Sequence, residues 1–116
     1  MSARAFAAFG ALVCGMSVAL AAVAMHGAEG HASEQLLMAA VFAFAHGLAL
    51  VAIAARESRT ATFARGALAL GIVLFCGSLV GAALLGWPTR AVPAGGFALM
   101  AGWAILAADF LRRPPP

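Results

Sequence analysis

The sequence predicts an all-α integral membrane protein, folded as an antiparallel bundle of four transmembrane helices. Hydrophobic residues make up 65% of the 116 residues, charged residues make up 9%, and the mean hydropathy is +1.02. A soluble domain is about 45–50% apolar and about 25% charged, so this chain has too few charges to cover a surface exposed to water. The few charges also separate long uncharged stretches, which is the pattern of membrane spans.

Four stretches carry no charged residue, and the shortest of them, 91–108, has 18 residues. About 20 residues at about 1.5 Å per residue span roughly 30 Å of hydrocarbon. Runs of Ala and Leu without strict alternation favour helices over barrel strands. We therefore expect a single transmembrane domain over residues 1–116, with helices near 5–25, 35–55, 66–86 and 92–111.

Local signals set the ends of these helices. The first helix follows Arg4, and its apolar stretch exceeds the roughly 7–15 residues of a signal-peptide core, so we expect it to be retained. Ser33 or Glu34 is placed to begin the second helix, Trp87 to lie in the headgroup belt after the third, and Pro93 to open the fourth. Connections of about nine, ten and five residues indicate that consecutive helices are antiparallel neighbours.

The arginines predict an orientation. Six lie beside one set of helix ends and one lies on the opposite side, and an Arg excess marks the cytoplasmic side of a bacterial membrane. We therefore expect both termini in the cytoplasm. Nucleic-acid binding is not expected, because no basic face with interleaved aromatic residues is present. The six are Arg4, then Arg56, Arg59 and Arg65 in the connection between the second and third helices, then Arg112 and Arg113; the seventh is Arg90.

Asp109 lies near the end of the fourth helix, three and four residues before Arg112 and Arg113. Residues at these spacings are neighbours on a helix surface. We expect a local salt bridge at the membrane boundary.

Three side chains that could react, carry a proton or bind a metal fall near the middle of their helices: Cys14, His46 and Cys76. An ionisable residue inside a membrane is a functional candidate, so His46 is the first candidate residue, and His26 at the end of the first helix is the second. Neutral His can bond a backbone carbonyl or Ser78, carry a proton, or ligate a metal. The two Cys can equally be small apolar residues.

Motifs for catalysis are missing from the sequence. It has no nucleophile elbow, no phosphate-binding glycine loop and no paired catalytic carboxylates. We therefore predict no catalytic residue, no cofactor and no metal.

Small residues suit close packing of transmembrane helices, and the chain has 13 Gly. Gly77 and Gly81 form a GxxxG motif in the third helix. Gly95, Gly96 and Gly102 reduce the side-chain bulk of the fourth helix. We expect these glycines to pack within the bundle, with a dimerisation face as the alternative.

Four segments resemble, in order, the motifs of a known family. AMHG at 24–27 resembles GAHG, AHGLAL at 45–50 resembles HALAL, and FCGSL at 75–79 resembles FSGSL. PAGG at 93–96, followed by Gly102-Trp103, resembles TPxGG…GW. The chain thus resembles the small YgdD-like membrane proteins, a family of unknown function, from about residue 9 to residue 110.

The resemblance implies four helices in the bacterial inner membrane and supplies no activity. It carries over His26, His46, the glycines and Trp103. This chain departs from the family pattern where Cys76 replaces Ser, Val80 replaces Tyr and Val92 replaces Thr. The lost hydroxyl groups argue against a shared polar site in this member.

A bundle rich in small residues and without catalytic groups predicts a non-enzymatic protein of the lipid bilayer. We expect an accessory or stabilising subunit of a larger membrane complex, with a membrane-protein partner or a second copy as its contact. Two alternatives stay open. One is a carrier or channel for protons or a small solute through His46 and His26. The other is a membrane electron carrier binding haem or a metal, with His46 and Met100 as the geometrically easiest ligands.

Overall fold

A computed structural model describes residues 2–112, and within them all regular structure is helical. The four long helices are α1 (Ala3–His26), α2 (Gly30–Ala52), α3 (Arg59–Leu85) and α4 (Ala91–Arg112). Each is long and apolar enough to cross a membrane. The predicted fold class, an all-helical bundle of four candidate spans, is confirmed.

The first two connections are shorter than the charges suggested, because α2 begins at residue 30 rather than 35 and α3 at 59 rather than 66. Gly30 has φ +59°, which allows the sharp turn out of α1. Ser33 lies inside α2, and its hydroxyl donates to the carbonyl of Ala24, 2.6 Å away. Ser58 caps α3 by accepting from the backbone N–H of Ala61 at 2.9 Å. Arg65 therefore lies inside α3 rather than in the connection.

The helices pack in chain order. Helix α1 lies along α2, α2 along α3, and α3 along α4, while α1 touches only the first part of α3, Arg59–Gly71. Beyond that part, α1 and α3 diverge around an apolar cavity of about 350 Å³. Met16 and Leu20 form its α1 wall, and Val80 and Leu84 form its α3 wall. The chain is thus an open bundle with a groove on one side.

A single π-helical turn, Ile72–Cys76, interrupts α3 near its middle. Helix α4 approaches the chain at this turn, because a Cβ on Gly95 would overlap the backbone N and Cα of Phe75. Gly86, with φ +71°, ends α3, and the N–H of Trp87 donates back to the carbonyl of Gly81 at 3.2 Å. The half-exposed Trp87 ring consequently folds onto Gly81.

The buried core is made of small and medium side chains, and Leu36, Leu50 and Leu68 are its largest fully buried apolar side chains. Most large apolar side chains point outward instead. This distribution suits lipid, which is as apolar as the core and accepts Leu, Met and Phe on the outside of a bundle.

Candidate functional site

His46 is held inside the bundle by two hydrogen bonds. It is only 7% exposed, and its Nδ1 lies 2.7 Å from the carbonyl oxygen of Phe42, one turn earlier in α2. Its Nε2 lies 3.0 Å from Nε1 of Trp103 in α4. A carbonyl only accepts and an indole N–H only donates, so Nδ1 carries the ring proton and Nε2 is the acceptor. The pair of bonds fixes one tautomer of the neutral imidazole.

Aromatic rings surround this imidazole. The Phe42 ring stacks on it with centroids 5.7 Å apart and an angle of 10°, and the Trp103 ring meets it edge-on at 5.8 Å. Phe75, in the π-helical turn of α3, packs against Phe42 at 4.6 Å. The four side chains form a cluster that joins α2, α3 and α4, which we name the His46 cluster.

The sequence singled out His46, and a carbonyl was among its expected partners, but Ser78 was named instead of Trp103 as a side-chain partner. The hydrogen bond between His46 and Trp103 joins residues that are 57 positions apart in the sequence. Trp103 was a candidate residue through the GW motif of the family resemblance, but that motif did not predict a hydrogen bond to His46.

The structure does not bring His26 to His46. His26 is exposed at the end of α1. His31, also exposed, lies 3.5 Å from Glu34 in the first turns of α2. A solvated pair of this kind contributes little to stability.

Both cysteines are free thiols. The Cys14 Sγ lies 3.6 Å from the carbonyl of Phe44, and Cys76 is buried in the core. Within residues 2–112, no three His, Cys, Asp or Glu side chains are grouped closely enough to hold a metal ion.

The predicted packing glycines have different surroundings. Gly95 faces Phe75, Gly102 faces Leu68, Gly81 faces Trp87, and Gly96 has only a distant edge of Phe75 at 3.9 Å from an added Cβ. An added Cβ at Gly77 would meet no atom within 4 Å. Within residues 2–112, Gly77 therefore makes no close helix contact, and the GxxxG motif does not pack as one face.

A second close approach was not singled out from the sequence. A Cβ on Gly10 would lie 2.5 Å from the carbonyl oxygen of Gly47, and a Cβ on Gly47 would lie 2.7 Å from that of Gly10. The backbones of α1 and α2 therefore meet directly at this crossing. Gly10 and Gly47 stand on different helices without any shared motif, so no local pattern marks them as partners.

A polar cluster lies where α4 ends beside the connection between α2 and α3. Asp109 is 2% exposed, and its Oδ2 lies 2.6 Å from Nη2 and 2.8 Å from Nε of Arg56. Ser58 donates to its Oδ1 at 2.7 Å. Asp109 thus bonds residues more than 50 positions away, which the expectation of a local salt bridge did not include. Arg113, one of its expected partners, lies outside the described residues.

Arg56 and Ser58 give this cluster its architectural role. Ser58 caps α3 while bonding Asp109, and the Arg56 guanidinium lies 4.1 Å above the Phe110 ring. The cluster therefore ties the start of α3 to the end of α4.

A family model described as "Protein of unknown function (DUF423)" matches residues 20–96. The chain belongs to the DUF423 family. The matched residues run from late α1 into the first turns of α4, so the DUF423 match includes His46 and Phe75 but ends before Trp103 and Asp109.

Neither a search of curated proteins nor a search of solved structures found a match to the chain. The DUF423 description names no activity.

Proposed function

We propose that this DUF423 protein is a non-enzymatic accessory or stabilising subunit of a larger membrane complex. The observation that carries the proposal is the bonding of His46. Both of its ring nitrogens are used inside the bundle, by Phe42 and Trp103. His46 therefore serves to hold α2 against α4 through its bond to Trp103.

The same bonding weighs against the two alternatives. A proton carrier or a haem or metal ligand needs a free ring nitrogen, and His46 could supply one only by breaking its bond to Phe42 or Trp103. Met100, the other candidate ligand, is 58% exposed on the outside of α4. Neither alternative has a supporting contact within the described chain.

The outer face of α4 is the contact surface we favour for a partner. Phe97, Met100 and Trp103 recur every three residues, and Phe110 follows one heptad after Trp103. They are 69%, 58%, 45% and 53% exposed, respectively. Aromatic residues are enriched where proteins contact each other. The exposed large apolar side chains of α1, by contrast, include no aromatic ring: Leu12, Met16, Val18, Val23 and Met25.

We further propose that the protein is a YgdD-like member of its family in the bacterial inner membrane, with both termini in the cytoplasm. Arg4, Arg56, Arg59 and Arg112 lie at one end of the antiparallel bundle, and Arg90 lies at the other. This asymmetry is the positive-inside pattern. A C-terminal green fluorescent protein fusion should be fluorescent, whereas a C-terminal alkaline phosphatase fusion should be inactive.

Site-specific photocrosslinking in native membranes tests the accessory role. A photoreactive residue replaces Phe97 or Met100 on α4, or their controls of matched exposure on α1, Leu12 and Met16. We expect the two α4 positions to give a discrete crosslinked polypeptide and the two α1 positions to give none. The same lipid adducts at all four positions, with migration as a lone chain in gentle detergent, would refute the proposal.

A further inference from the structure

A cleft of about 420 Å³ opens at the Arg-rich end of the bundle, between the first turns of α1 and α3 and the connection that precedes α3. Its walls carry three arginines and one acidic residue: Arg4, Arg56, Arg65 and Glu57. The other lining residues are small or hydroxylated. The cleft therefore offers a concentration of guanidinium groups next to a free volume.

Arg65 is the most deeply buried of these arginines, at 5% exposure. Its Nη1 donates to the carbonyls of Ile53 and Arg56 at 3.2 and 3.0 Å, and its Nη2 donates to the Thr62 hydroxyl at 3.1 Å. These bonds hold the guanidinium against the C-terminal end of α2. Its buried Nε, however, has no hydrogen-bond partner within residues 2–112. A buried donor without an acceptor is costly, and an acceptor on a bound ligand would remove that cost.

The charges around the cleft are also unbalanced. Among the described residues, neither Arg65 nor Arg4 is in an ion pair with a carboxylate, whereas Arg56 is paired with Asp109. Glu57, exposed in the wall, is the opposing charge. The N-terminus of α3 adds its positive dipole end beside Ser58. The local field therefore favours an anion.

We infer that this cleft binds the phosphate group of an anionic ligand. Guanidinium forks match the oxygens of a phosphate, and basic pockets between transmembrane helices suit anionic lipid headgroups. Arg65 lies six residues after the start of α3, about 9 Å along the helix axis. The phosphate can come from a phospholipid headgroup or from a soluble phosphate.

Ligand-dependent thermal unfolding of the full-length, delipidated protein tests this inference. The unfolding midpoint is followed by circular dichroism in a neutral detergent at constant ionic strength. Three probes are titrated separately: phosphatidylglycerol, phosphatidylcholine and inorganic phosphate. The variants are Arg4→Gln, which alters an exposed wall residue, and Arg65→Lys, which keeps the charge but removes Nε. Arg59→Gln is the control, because Arg59 lies at the same end without lining the cleft.

We expect saturable stabilisation of the wild type by phosphatidylglycerol and not by phosphatidylcholine. Loss of one charge-assisted hydrogen bond should weaken the apparent affinity of Arg4→Gln about tenfold. Arg59→Gln should stay within about twofold of the wild type, because Arg59 is exposed to solvent and salt and does not line the cleft. Arg65→Lys should also bind more weakly; if it does not fold, Arg4→Gln decides.

The remaining outcomes separate the source of the phosphate from failure of the inference. Saturable stabilisation by inorganic phosphate that is lost in Arg4→Gln would support the site with a soluble ligand. Equal weakening of phosphatidylglycerol binding in Arg4→Gln and Arg59→Gln would overturn the inference, because it would indicate general charge attraction. No saturable stabilisation by either phosphate source would overturn it as well.

Discussion

The crossing of α1 and α2 at Gly10 and Gly47 leaves no room for a side chain, so Gly10→Ala is a direct test of the fold. An added Cβ would lie 2.5 Å from the Gly47 carbonyl oxygen and 2.9 Å from the Leu50 Cβ. Ordinary van der Waals contact begins near 3.4 Å. The helices would have to separate by roughly 0.9 Å (3.4 minus 2.5) at this point.

The expected loss follows from two opposing effects. Overpacking of this kind costs about 1–3 kcal/mol, and here backbone rather than a flexible side chain must move. Replacing Gly by Ala inside a helix returns up to about 1 kcal/mol through helix propensity. We therefore expect Gly10→Ala to lower the free energy of unfolding by about 1–2 kcal/mol.

Gly15→Ala supplies the matched control on the same helix. Gly15 is exposed, and a Cβ there would meet no atom within 4 Å. We expect this variant to be neutral or slightly more stable than the wild type. The free energy of unfolding is measured by denaturant titration in mixed micelles and followed by circular dichroism. Equal stability of the two variants would refute the direct contact between α1 and α2.

Two further substitutions test the contacts of α4. Gly95→Ala should cost about 1–2 kcal/mol of unfolding free energy, because overpacking against the α3 backbone exceeds the gain in helix propensity. Gly96→Ala should be nearly neutral, and the reverse order in a thermal melt would contradict this packing. Trp103→Phe removes the donor to His46 and should lower the unfolding free energy by about 0.6–1.7 kcal/mol, from the average to the largest value measured for hydrogen bonds between membrane helices. Trp87→Phe is its control, and an equal effect of the two Trp substitutions on the denaturant midpoint would argue against the bond.

The four apolar spans were predicted well because they depend only on local composition. Spans can be predicted because each one must be apolar over its full length to lie in lipid. The helix ends were predicted less well, since charged residues were taken as boundaries. Arg65 lies inside α3 because its guanidinium bonds the carbonyls of Ile53 and Arg56. Only the tertiary fold brings these carbonyls to it.

The order of the amino acids is enough to predict four apolar helices of alternating direction with the arginines gathered at one end. Which polar groups meet depends on how the helices pack: His46 bonds Trp103, and Asp109 bonds Arg56. The same packing brings Gly10 against Gly47. The physical reason is that lipid and protein interior are equally apolar. A membrane helix therefore carries little periodic signal of which face turns inward, and its rotation is fixed only when its neighbours pack against it.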